Sequence, residues 1–292
     1  MPVVERIVRL VCVCMVAAAA MPAFAQDDAA PGSLWAVGLG AQVDEDSSDS
    51  VLATVNWGVT RSTWLLFSAA RSRSPAERAD ISAQSLVAGV DHRFGLVGVT
   101  FQVERWGDSD VLESDELRGS FYIQQERLRI ALNHERRDID IPFTLTGPLG
   151  GTVRRTAQLS ADSFGLSVRV QPAERWQLYF EATEHDYERD LALLPRIDRL
   201  NLLSTSALTL ANSFVDHERM LGFERELGRT LLNVSFREDR SAIDGSKLET
   251  IEAALLWPIS RRIDVEVNLG SGRSDLLDSG LYGGVLLLIY GR

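Results

Sequence analysis

The chain carries four histidines, and three of them stand directly before a carboxylate: His134-Glu135, His185-Asp186 and His217-Glu218. Such pairs suit acid–base work near neutral pH, and several imidazoles at one level would suit a metal ion. Both uses require the side chains to converge. The flanking residues alternate apolar and polar, and continuing that alternation puts His134 and His217 on one face and His185 on the other. The three read better as polar residues near strand ends. Asp44-Glu45-Asp46-Ser47-Ser48-Asp49 is rich in oxygen ligands but lacks the glycine and terminal glutamate of an EF-hand loop. It reads as a solvated loop, as does the stretch with Asp108, Asp110, Glu113, Asp115 and Glu116. No G-x-S-x-G motif occurs, and His134 is followed by glutamate where a serine would have suggested a nucleophile. The expectation is no catalytic residue, no metal and no cofactor.

The elements that would position these residues are strands. Val97, Val99, Phe101 and Val103 alternate with Gly98, Thr100, Gln102 and Glu104. Leu128, Ile130 and Leu132 alternate with Arg127, Arg129, Ala131 and Asn133, and Ile263, Val265, Val267 and Leu269 with Arg262, Asp264, Glu266 and Asn268. Fourteen such segments are predicted, near 33–43, 51–59, 63–71, 83–92, 96–106, 116–124, 127–137, 162–171, 175–186, 217–226, 229–238, 248–257, 262–270 and 280–290. Twelve or sixteen strands remain open alternatives, since Leu203 to Phe214 could extend the tenth. Short links alternate with long polar ones, the long ones being 44–50, 72–82, 107–115, 138–161, 187–216, 239–247 and 271–279.

Composition narrows the class. With 41 acidic against 30 basic residues the net charge is −11, which disfavours nucleic acid. Residues 1–25 read as a signal peptide: Arg6 and Arg9, an apolar run from Val11 to Ala20, then Ala23-Phe24-Ala25 as the cleavage site. Cys12 and Cys14 lie inside it, so a disulfide-stapled exported scaffold is excluded. Residues 26–32 form a polar stub and 33–292 a single domain. After the leader no apolar run approaches the roughly 18 to 20 residues of a membrane helix.

A soluble sandwich would also alternate and turn. The tryptophans separate the two readings. Trp35, Trp57, Trp64, Trp176 and Trp257 fall at strand ends beside short links, and Trp106 at an opposite end. Indole favours the headgroup zone of a bilayer, so the six are assigned to an aromatic girdle. A sandwich has no reason to band its tryptophans by height.

The chain resembles the outer-membrane β-barrel superfamily of Gram-negative bacteria, and in size and layout the fourteen-stranded monomeric porins. The resemblance implies an all-β, transmembrane, antiparallel up-and-down barrel in the outer membrane, with short periplasmic turns and long outer loops. It also implies lipid, lipopolysaccharide and the barrel-assembly machinery as partners. The last strand departs from the usual terminal aromatic, since Gly291 and Arg292 follow Tyr290, but Tyr282-x-Gly284-x-x-Leu287 keeps the spacing of that assembly signal. The expected function is a porin-like channel for small polar solutes. Its pore-lining candidates are Glu104, Arg118, Arg129, Arg169, Glu181, Glu252, Arg262, Asp264 and Glu266, with Glu224 and Arg237 on the same polar faces. Small residues there, such as Gly38, Gly40, Thr54 and Ser120, leave space in the bore. Val285, Leu287 and Ile289 are expected to face the lumen, and Leu191 to Leu203 to form an amphipathic helical turn in the fifth outer loop. The alternatives are a closed barrel with a structural, assembly or export role, and a barrel enzyme acting on lipid or peptide at the outer rim.

Overall fold

The computed structural model describes residues 34–74, 81–108, 112–146, 152–188, 214–275 and 279–291. The signal peptide, the stub and the expected helical turn at 191–203 lie outside them. Fourteen strands close into one antiparallel barrel in which each strand pairs with its chain neighbours and β1 pairs with β14. They are β1 (Trp35–Asp44), β2 (Asp49–Gly58), β3 (Thr63–Ser74), β4 (Ile81–Phe94), β5 (Val97–Asp108), β6 (Leu112–Gln124) and β7 (Leu128–Thr146), then β8 (Thr152–Ala173), β9 (Trp176–Tyr187), β10 (Val215–Leu227), β11 (Thr230–Ser241), β12 (Lys247–Pro258), β13 (Ile263–Ser274) and β14 (Gly280–Gly291). Closure removes the free edges that would leave backbone groups unpaired in lipid.

The outward face is apolar. Val99, Phe101 and Val103 on β5, Phe121 and Ile123 on β6, Leu132 on β7 and Phe164 on β8 are all exposed there. The turns at one end are tight. Gly95 and Gly228 open two-residue links with φ of 68° and 69°, the left-handed region that such hairpins require.

At the other end the strands run further than expected. Of the polar stretch 138–161, expected as a loop, residues 138–146 and 152–161 are the upper part of a β7–β8 ladder that stays paired to Thr146 and Thr152. Of 72–82, the described residues 72–74 and 81–82 are likewise strand. These stretches read as loops because apolar-out alternation ends there, while backbone pairing continues. Along β7 the phase reverses: Leu128, Ile130 and Leu132 point outward, and beyond Arg137 it is Ile139 and Ile141 that point inward.

The ladder also corrects the last strand. Leu287 lies opposite Val265 and Val285 opposite Val267, so Val285, Leu287 and Ile289 share the outward face and pack with Ile263, Val265 and Val267. Leu286 and Leu288 face the lumen, opposite Gly40 and Gly38. β14 is apolar on both faces, so its own periodicity could not set its phase.

Candidate functional site in the lumen

The inward face carries the charges. Glu104, Arg118, Arg129, Arg169, Glu181, Glu224, Arg237, Glu252, Asp264 and Glu266 all stand on it by register. Arg262 does not. It sits in the turn before β13, where its carbonyl accepts from the Tyr290 amide.

The charged side chains form two groups at the middle and loop-side levels. In the first, Arg118 lies opposite Glu135 and Arg137 opposite Glu116, a checkerboard across β6 and β7. Arg118 reaches Glu104 at 3.0 Å and Glu135 at 2.8 Å, and also pairs with Glu116. Arg137 reaches Glu116 at 3.0 Å and Glu135 at 2.7 Å. Glu104 and Glu116 are cross-strand neighbours that would repel, and Arg118 bridges them. In the second group Arg237 pairs with Glu218 at 3.2 Å and Asp239 at 2.9 Å. Two-pronged guanidinium geometry makes these strong, directional contacts.

Both groups border one cavity of about 690 Å³, reached also by Gln42, His185, Glu266 and Leu286. Residues from β1 to β14 meet there, so it is the lumen and not a surface cleft. The His185 Nδ1 is buried without a hydrogen-bond partner. His134 and His217 stand outside, His134 stacked on Phe164 at 4.7 Å. Among the described residues no group of three His, Cys, Asp or Glu side chains is placed to hold a metal ion.

The working members of two His–carboxylate dipeptides are therefore the glutamates, Glu135 and Glu218. Reasoning from sequence missed these, and it also missed Glu116, Arg137 and Asp239. The usable signal was opposite charge two residues apart on one strand face: Glu116-x-Arg118, Glu135-x-Arg137 and Arg237-x-Asp239.

Toward the loop end the lumen wall becomes apolar and tightly packed. Leu112, Ile139 and Phe214 are at most 1% exposed, in a cluster with Ala83, Trp106, Leu159 and Ile243. Phe214 is tied in by its carbonyl, which accepts from the Ala242 amide. These side chains pack against one another and narrow the loop end of the lumen on the β4–β8 side. Trp106 belongs to this cluster and not to a membrane girdle, and Trp64 also points inward, opposite Gly58. Trp35, Trp57, Trp176 and Trp257 stand on the outward face near the turn end. Trp64 and Trp106 share their end positions with girdle residues, and only the phase of each strand separates them.

At the turn end a second cavity of about 760 Å³ is bordered by Trp64, Asp91, Tyr122, Arg129 and Tyr290. Asp91 accepts from Thr100 at 2.6 Å and from the Tyr122 hydroxyl at 3.0 Å. Arg129 lies 4.0 Å above the Tyr122 ring.

No protein-family model matches the sequence, and no curated protein matches it either. Solved structures match the fold. A barrel described as the CymD monoaromatic hydrocarbon channel superposes with a TM-score of 0.57 at 8% identity, covering 90% of each chain. OmpT of Vibrio cholerae, an outer membrane protein, superposes with 0.51 at 8% identity in a form lacking loop L8, covering 89% of this chain and 98% of that one. Its outer-membrane expressed form gives 0.50 at 9% identity, covering 92% and 99%. The chain has the architecture of the outer-membrane fourteen-stranded barrels.

Proposed function

We propose that the chain is an outer-membrane channel for small polar solutes, with the tight turns in the periplasm and the packed end outside. The observation that carries this reading is the unfilled, charge-lined lumen. A cavity of about 690 Å³ has room for roughly twenty waters, taking about 30 Å³ for each. A barrel needed only as a scaffold gains nothing by keeping such a space and lining it with buried ion pairs, which are costly to desolvate. Mixed charge in a low-dielectric wall concentrates the field along the bore, as selective pores require. A solved barrel of the same fold described as a channel supports the reading.

The packed outer end favours a second reading, a closed barrel with a structural, assembly or export role. Planar-bilayer recording separates the two. The purified full-length protein is expected to give discrete current steps that grow when the apolar cluster is weakened. Insertion without current, in the native protein and in cluster variants alike, would establish the closed barrel.

A further inference from the structure

The loop-side arginines of the lumen are each held between carboxylates: Arg118, Arg137 and Arg237 all contact two or more. Three on the lumen face at the turn end are not: Arg129, Arg169 and Arg93, the last of which donates to the Gly95 carbonyl at 2.6 Å and borders the same cavity as Arg129. Arg129 on β7 and Arg169 on β8 lie directly opposite one another, both on the lumen face. Residues so placed have Cα atoms about 5 Å apart, and like charges in that position repel. Among the described residues neither takes part in an ion pair.

Each arginine instead lies over a tyrosine, Arg129 at 4.0 Å from the Tyr122 ring centre and Arg169 at 5.7 Å from that of Tyr179. A ring beneath a guanidinium holds its plane while leaving its N–H edge free to donate. The carboxylate of Asp91, which borders the same cavity as Arg129, accepts from Thr100 and Tyr122. Beside Arg129 opens the cavity bordered by Trp64 and Tyr290.

We propose that Arg129 and Arg169 form a binding station for the carboxylate of a small solute whose apolar body lodges against Trp64 and Tyr122. A planar carboxylate accepts paired N–H bonds from guanidinium edges and cancels the repulsion between the two cations. The role in solute passage rests on the channel reading; the binding itself does not.

The test is calorimetric titration of the purified full-length barrel in detergent with benzoate, benzyl alcohol and inorganic phosphate. Benzoate is expected to bind saturably and benzyl alcohol not at all. Arg129→Gln and Arg169→Gln should each weaken benzoate binding by about tenfold or more, the scale of a hydrogen bond to a charged group. Arg129→Lys and Arg169→Lys keep the charge without the fork and should fall between. Heat-modifiable migration checks folding, and if the glutamine variants do not fold the lysine variants carry the comparison. Absence of benzoate binding would overturn the proposal. So would equal binding of benzyl alcohol, preference for phosphate, or benzoate affinity unchanged in every folded variant. A conducting barrel that does not bind benzoate sinks this station and leaves the channel standing, and a silent barrel that binds it does the reverse.

Discussion

The ring of Tyr282 on β14 lies flat across Gly270 on β13, so closely that a methyl group on Gly270 would overlap it. From there its hydroxyl donates to Glu252 on β12 at 2.9 Å. The same device recurs twice. Tyr122 covers Gly98 and reaches Asp91, and Tyr179 covers Gly222 and reaches Asn233 at 3.0 Å. One glycine lets a tyrosine tie three strands together along the lumen wall.

Gly270→Ala, Gly98→Ala and Gly222→Ala should therefore each destabilise the barrel by about 1 to 3 kcal/mol, the usual cost of overpacking. Gly119 is the control, because it faces outward with nothing within 4 Å of an added Cβ. Gly119→Ala should be neutral or stabilising by up to about 1 kcal/mol. Urea unfolding followed by heat-modifiable migration measures both. Equal loss in all four variants would refute the ring-over-glycine account.

How far the sequence discloses this barrel depends on which face a residue serves. Where the outward face is apolar and the inward one polar, as in Val97 to Glu104, period-two alternation is clean, and strand existence, phase and tight turns are all legible. Toward the loop end of β7, Asp138-Ile139-Asp140-Ile141 still alternates, but with the apolar set turned inward, and that inversion reads as a loop unless the phase is followed through. β14 is apolar on both faces and takes its phase from β13. The lumen network was half visible. Its members occur as opposite charges two apart, yet Glu135 and Glu218 drew attention only as neighbours of histidines that point the other way.

Arg137 is the keystone of the larger ion cluster, and it is buried between Glu116 and Glu135. Removing it leaves Glu116 and Glu135 to share Arg118, which Glu104 also engages. Arg137→Met should cost about 3 to 5 kcal/mol, and Arg137→Met combined with Glu135→Gln distinctly less than the sum of the single changes. Additive losses in the same unfolding assay would show that the two side chains act independently.

The lipid-facing assignment predicts an asymmetry between near neighbours on β5. Val99 is 41% exposed on the outward face, whereas Gln102 faces the lumen opposite Arg118. Val99→Arg places a cation in hydrocarbon at roughly 2 to 4 kcal/mol and should impair insertion into lipid vesicles. Gln102→Arg should insert normally. Equal insertion would mean that the apolar face does not meet a bilayer.

The apolar cluster at the loop end makes the sharpest functional forecast. Ile139 and Leu159 lie opposite each other across β7 and β8, and Phe214 packs with both in the same buried cluster. Phe214→Ala removes the largest of these side chains at a stability cost of about 3 to 5 kcal/mol, and Ile139→Ser places a hydroxyl where no water now reaches. Neither change touches the ion network below, so the bore itself keeps its charge. If the cluster is what closes the lumen, single-channel conductance should rise in both variants and rise further when they are combined. The outward Leu221→Ala, 59% exposed, controls for general loosening and should leave the current at its native level. Charge screening gives a second check: selectivity set by the lumen should fade in high salt, while the gain from opening the cluster should persist. Conductance that is native in Phe214→Ala and Ile139→Ser, in barrels confirmed as folded, would mean that solute passes elsewhere or not at all.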